Sequence, residues 1–117
     1  MDLNTAIGKH AEWKLKFRNA ISGKETMDAD TISKDNCYEL GKWLHGEAKP
    51  IHGNRASYIE CVTKHAAFHK EAGKVAIAIN AKKYTEAEAM IDGGTTYADA
   101  SAAVGLAIMR LKKEAAL

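Results

Sequence analysis

The sequence predicts an all-α protein, an antiparallel four-helix bundle with one additional short helical segment. Three observations carry this expectation. Only one proline, Pro50, occurs in 117 residues, and proline is the residue that helix interiors exclude, because it lacks the backbone donor and clashes with the preceding turn. Alanine, which has the highest helix propensity, is the commonest residue and crowds the C-terminal half. No stretch alternates apolar and polar residues as a half-buried strand does.

Taken in order, the first helix is expected over about residues 3–22, because Leu3, Ile7, His10, Phe17 and Ile21 fall on one face at helical spacing. Gly23 supplies its stop. The polar segment 24–31 reads as a loop. A second helix over about residues 33–45 puts Cys37, Leu40, Gly41 and Leu44 on one face. Residues 46–53, with Pro50 inside, are the clearest interruption. A long third helix, about residues 54–81, carries Tyr58, Val62, His65, His69, Ala72, Ala76 and Ile79 in a row facing the core. Gly73 inside it marks either close packing or a local weakness. Thr85 followed by Glu88 matches a capping box, which predicts a short helical segment through Met90, ended by Asp92-Gly93-Gly94. The last helix, about residues 95–113, turns Tyr97, Val104, Ile108 and Leu111 inward. Ser101 with Gly105, and Ala103 with Ala107, set small residues four apart, where another backbone can approach.

Composition narrows the function classes. With 46% hydrophobic and 27% charged residues the chain is too apolar for a disordered segment, and its length suits a single domain over residues 1–117. A net charge of +2, without a segment that concentrates Lys and Arg, argues against nucleic acid as a partner. The basic clusters Lys14-Lys16-Arg18, Lys82-Lys83 and Lys112-Lys113 read as solvated faces or helix-end charges. The longest apolar run, residues 75–81, is far short of the ~20 residues a membrane span needs, so no membrane contact by this chain is expected. The N-terminus lacks the pattern of a secretory signal, and two cysteines are too few for a disulfide framework. Both point to a cytoplasmic protein.

The anomaly is histidine on the inside. His10 falls in the apolar row of the first helix, His65 and His69 fall one turn apart in that of the third, and Cys37 falls on the inward face of the second. A lone inward His is usually a hydrogen-bonded core residue, and a lone buried Cys acts as a small hydrophobe. Three inward histidines in one small domain are harder to absorb. An unpartnered buried imidazole costs about 1–3 kcal/mol, against a total stability of ~5–15 kcal/mol. A shared metal ion removes the three penalties together. Three imidazoles and a thiolate suit tetrahedral zinc, and copper is compatible with the same donors. Four protein ligands leave no open position for an activated water, which favours a structural or sensing role over hydrolysis. The zinc-protease pattern H-E-x-x-H is absent, because Ala66 follows His65.

The segments His10-Ala11-Glu12-Trp13-Lys14, Cys37-Tyr38-Glu39-Leu40-Gly41-Lys42-Trp43-Leu44 and His65-Ala66-Ala67-Phe68-His69 resemble, in order and spacing, the three signature segments of the chemoreceptor zinc-binding (CZB) domain family. The resemblance covers roughly residues 3–112, and the C-x-x-L-G-K-W-L segment is its most specific part. It implies a helical bundle with Zn2+ held by His10, Cys37, His65 and His69. It also implies a regulatory or sensory role in bacterial signal transduction, in which zinc or oxidant levels modulate a chemoreceptor or diguanylate cyclase type output, with homodimers as a common assembly. The chain carries no recognisable output domain, so a signalling partner is expected on another chain or as another domain of a larger receptor.

Other residues are read more plainly. Cys61, one turn before His65, is expected to be a small packing residue rather than an alternative ligand or oxidisable neighbour, His45 and His52 to be solvent-exposed, Phe68 to be core or interface, and Trp13 and Trp43 to pack around the site and keep it dry. Glu12, Glu39 and Asp99 are candidates to accept the free N–H of a ligand histidine. Two rival readings remain at this stage: a metal-stabilised structural or dimerisation module without a sensing role, and a di-iron or hemerythrin-like bundle. The second is disfavoured because neither Glu12 nor Glu60 begins a Glu-x-x-His motif. An enzyme is not expected, since no phosphate-cradling loop or oxyanion hole is marked.

Overall fold

The computed structural model describes all 117 residues and contains helices and no strands. In order these are α1 (Leu3–Gly23), α2 (Ala29–Ser33), α3 (Glu39–His45), α4 (Ala48–His52), α5 (Ala56–Asn80), α6 (Tyr84–Met90) and α7 (Thr96–Ala115). The three long helices form the frame of an all-α bundle. α5 packs along α7, α7 along α1, and α2 lies across α5. Between them lie residues of the predicted rows, Phe17 from α1, Ile79 from α5, and Val104, Ile108 and Leu111 from α7, together with Phe68 of α5, all of them buried. One aromatic stack, Phe17 and Phe68 each 5.7 Å from Tyr97, ties the three helices together.

Local chemistry explains the helix ends. Asp2 accepts hydrogen bonds from the Asn4 and Thr5 N–H groups at 2.9 and 3.2 Å and starts α1. Lys24, not Gly23, takes the left-handed conformation that ends it, at φ 51°. Thr95 caps α7 by accepting from the Ala98 N–H. The capping box expected at Thr85 does not form: α6 begins at Tyr84 after Lys83, with no side-chain cap.

The expected second helix over residues 33–45 is a correction. It is two helices, α2 and α3, joined by a non-helical link at residues 34–38 that contains Cys37. Asp28, in the segment read as loop, starts α2 early by accepting from the Thr31 N–H and, at 2.7 Å, from its hydroxyl. Gly41 explains the link. A Cβ there would lie 1.6 Å from the Asp35 carbonyl oxygen, so the chain folds back flat against α3, and only glycine admits that approach. Gly73 resolves in favour of close packing, since its missing Cβ would meet the Ser33 Cβ at 2.6 Å, which seats α2 on α5. The interruption at residues 46–53 holds the short α4, with Pro50 in its first turn, where a missing N–H is tolerated. Gly105 meets nothing within 4 Å, so the Ser101–Gly105 pair is not a close approach.

Gly41→Ala is expected to lower stability by about 1–3 kcal/mol in urea denaturation, because the added methyl collides with backbone. Gly8→Ala, where a Cβ meets nothing within 4 Å in the body of α1, is expected to raise it by about 0.5–1 kcal/mol. Equal effects at the two sites would contradict this reading of the link.

Candidate metal centre

α1 supplies His10, and α5 supplies His65 and His69 one turn apart, so that three imidazoles meet between two helices. His10 is 7% exposed and the other two are 0% exposed. Ring centroids are 5.0 Å apart for His10–His65, 5.7 Å for His10–His69 and 4.5 Å for His65–His69. One nitrogen from each ring falls within 4.8 Å of one from each of the others.

Backbone carbonyls orient two of the rings. His10 Nδ1 is 2.8 Å from the Ala6 carbonyl one turn back, and His69 Nδ1 is 2.9 Å from the Ile32 carbonyl at the end of α2. A carbonyl oxygen only accepts, so both Nδ1 atoms carry the proton and both Nε2 atoms present a lone pair. His10 Nε2 has no protein partner, nor has His65 Nδ1. With the His69 proton on Nδ1, His65 Nε2–H donates to His69 Nε2 at 3.0 Å, a spacing close to the ~3.3 Å edge of a tetrahedral zinc site with bonds of about 2.0–2.1 Å.

Electrostatics keep the set neutral. Burial pushes the His10 imidazole down to about 4, and the nearby His69 adds to the effect against the Ala6 hydrogen bond. Burial pushes His65 down to about 2, aided by the neighbouring histidines. His69 is also lowered by burial, with its bond to Ile32 opposing. Neutral imidazole is the metal-binding form. The orphaned lone pair of His10, the facing Nε2 atoms of His65 and His69, and their neutrality fit a divalent ion. His10 and His69 would hold it through Nε2, and His65 would be the third ring donor. No carboxylate belongs to the group, unlike the carboxylate-rich di-iron bundles.

The surroundings are aromatic. Phe68 lies edge-on to His10 at 5.2 Å and Trp13 edge-on to His69 at 6.3 Å, while Tyr38 stacks on His69 at 5.7 Å and 11°. A cavity of about 340 Å³ reaches His10 and His69 from the surface between α1 and the start of α3.

The other sequence expectations divide. Cys37 lies outside the three-histidine group; it is half-buried in the link, 3.5 Å from Asn36 Oδ1, and directly precedes the Tyr38 that stacks on His69. Cys61 is fully buried among core side chains, and burial pushes its thiol up to about 12. Trp13 lines the site as expected. Trp43 does not; its neighbour is His52, at 6.1 Å. His45 is exposed and donates to Asp35 at 2.8 Å, but His52 is buried and accepts from Arg55 at 3.2 Å, a correction to its expected exposure. Glu12, Glu39 and Asp99 receive no histidine N–H; backbone carbonyls take that part, because the rings sit within reach of helix ends and turns. Ala6 was readable in principle as the residue one turn before His10. Ile32 and Tyr38 were not, since their positions depend on how α2 and the link return across α5.

A family model described as a chemoreceptor zinc-binding domain matches residues 10–76, more than half of the chain and all three histidines. No curated protein and no solved structure matches significantly.

The neutrality of the cluster sets a pH dependence for the metal-free chain. Unfolded histidines take protons near the ordinary 6.5, while folded His10 does so only near 4 and His65 near 2. The unfolded state thus binds more protons below about pH 6.5, and stability falls as pH drops through that value. Urea midpoints measured with a chelator present are expected to be flat, as far as these groups act, above about pH 7 and to decline toward pH 5. A midpoint that rises on acidification would contradict the buried neutral cluster.

Proposed function

We propose that this chain, which belongs to the chemoreceptor zinc-binding domain family, is a zinc-dependent regulatory domain in which all 117 residues act as one unit and which reports zinc or oxidant levels to a signalling partner. The observation that carries the reading is the convergence of three buried, neutral imidazoles, with the lone pair on His10 Nε2 left unpartnered. Cys37 is the fourth ligand in this reading. Its support is the half-buried thiol one residue from the ring stacked on His69, together with the C-x-x-L-G-K-W-L segment that begins at Cys37. Zinc bound by these four groups supplies Lewis acidity that keeps the sulfur as thiolate.

The chain's own residues supply the response. Hydrogen peroxide transfers one oxygen to the Cys37 thiolate: the O–O bond breaks, sulfur loses two electrons and becomes sulfenic acid, and the other oxygen leaves as hydroxide, which takes a proton from solvent to become water. A sulfenic acid is a poorer ligand than a thiolate. Losing Cys37 frees the link at residues 34–38 and α3 behind it, because Cys37 is the one ligand that the link contributes. The His10, His65 and His69 rings stay fixed on their long helices. The output is a change in the packing of α3, read by a chemoreceptor or diguanylate cyclase type partner in the cytoplasm, with a homodimer as the expected assembly. Catalysis is no part of this reading, since the family is a regulatory one. No helix is long and apolar enough to cross a membrane.

Elemental analysis of the purified protein is expected to find one zinc per chain. Cys37→Ala is expected to keep its helical content and bind zinc more than about tenfold more weakly in chelator competition, since loss of outer partners alone costs about 10–100-fold. Cys61→Ala is expected to bind as the parent does. Hydrogen peroxide is expected to release zinc and raise amide exchange at residues 34–45 in the parent. Unchanged affinity in Cys37→Ala would remove the thiolate from the site. Zinc release without altered exchange would leave a metal-stabilised structural module in place of a sensor.

A further inference from the structure

The route by which the metal site meets solvent is defined by one side chain. The cavity of about 340 Å³ opens among exposed Lys9, Glu12 and Lys16 and ends on His10 and His69. Tyr38 lies in its wall, with its ring nearly parallel to that of His69, 11° apart at 5.7 Å. Trp13 flanks the pair, 5.3 Å from the Tyr38 ring and 6.3 Å from that of His69, edge-on to both. Glu39, the next residue, is bound to Lys9 of α1 at 3.1 Å, which pins the start of α3 across the opening. That pair is exposed and contributes little by itself. The aromatic contacts, one stacked and one edge-on, carry more. Its backbone carbonyl accepts from the Lys42 N–H at 2.9 Å, and the side chain is held by ring contacts alone.

We propose that Tyr38 is the gate of the metal centre: stacked on His69 in the wall of the cavity, it narrows the solvent path to the ion and sets how fast zinc leaves and enters. This rests on the zinc reading above and adds the residue that controls exchange. Because Tyr38 directly follows Cys37, the gate and the fourth ligand share one stretch of backbone. Displacement of the link therefore opens the path and removes the thiolate in a single movement. The ion then departs through the cavity between α1 and α3, while the histidines stay where they are.

The test uses the full chain loaded with zinc and a chromophoric chelator in excess, following the rate of zinc transfer. Tyr38→Ala is expected to bind one zinc per chain and to release it about tenfold faster. Tyr38→Phe, which keeps the ring and drops the hydroxyl, is expected to release zinc at the parent rate. Parent-like release from a zinc-loaded Tyr38→Ala overturns the gate while leaving the metal centre intact. Equal acceleration in Tyr38→Phe overturns the stacking mechanism. A parent chain that takes up no zinc overturns the metal reading and the gate together. Matched circular dichroism of the three proteins excludes loss of fold as the cause of faster release.

Discussion

Three imidazoles share the space between α1 and α5, where burial lowers their affinity for protons and no carboxylate belongs to the group. Two are turned by backbone carbonyls so that their remaining lone pairs face inward. In water such lone pairs are solvated; in this interior an unmatched one costs about 1–3 kcal/mol. A folded chain that keeps this arrangement carries a built-in deficit, and a cation at the point of convergence is the partner that removes it. The rest of the structure is organised by that requirement.

The small helices make sense in this light. α2 is seated on α5 through the missing side chain of Gly73, and its last turn delivers the Ile32 carbonyl to His69. The link that follows is pressed onto α3 by the missing side chain of Gly41 and brings Tyr38 over the same ring. Two glycines thus provide close contacts through which a backbone carbonyl of α2 and the Tyr38 ring of the link converge on one histidine. His69 is in this sense the hub of the centre, touched by α5 through His65, by α2 through Ile32, by α1 through Trp13 and by the link through Tyr38. The exposed, half-buried side of the centre is the link, and the fully buried side is α5.

Much of this was legible in the chain before any coordinates. The rows of Leu3 to Ile21 and of Tyr58 to Ile79 announce α1 and α5, and because helical periodicity fixes direction, they also announce that His10, His65 and His69 point inward. What periodicity does not carry is tertiary return. The apparent row of Cys37, Leu40, Gly41 and Leu44 suggested one helix, whereas the close approach of Asp35 to Gly41 breaks it, a contact that no local pattern encodes. The same limit hid Tyr38 and the Ile32 carbonyl. His52 was misread because its burial comes from the packing of α4 beside Trp43 and Arg55, not from its own surroundings in sequence. The carboxylates proposed as histidine partners were misplaced for a simpler reason: a helix offers its own carbonyls at i−4, and His10 uses one.

X-ray absorption at the zinc edge of the metal-loaded protein addresses the central claim most directly. Coordination by His10, His65, His69 and Cys37 predicts three nitrogens at about 2.0–2.1 Å and one sulfur at about 2.3 Å, with imidazole multiple scattering. Removing any one of the three histidines should cost one nitrogen from that shell. An oxygen-dominated shell without imidazole scattering, or a spectrum unaltered by loss of His65 or His69, would contradict the account, because the inward lone pairs would then be serving something other than the metal.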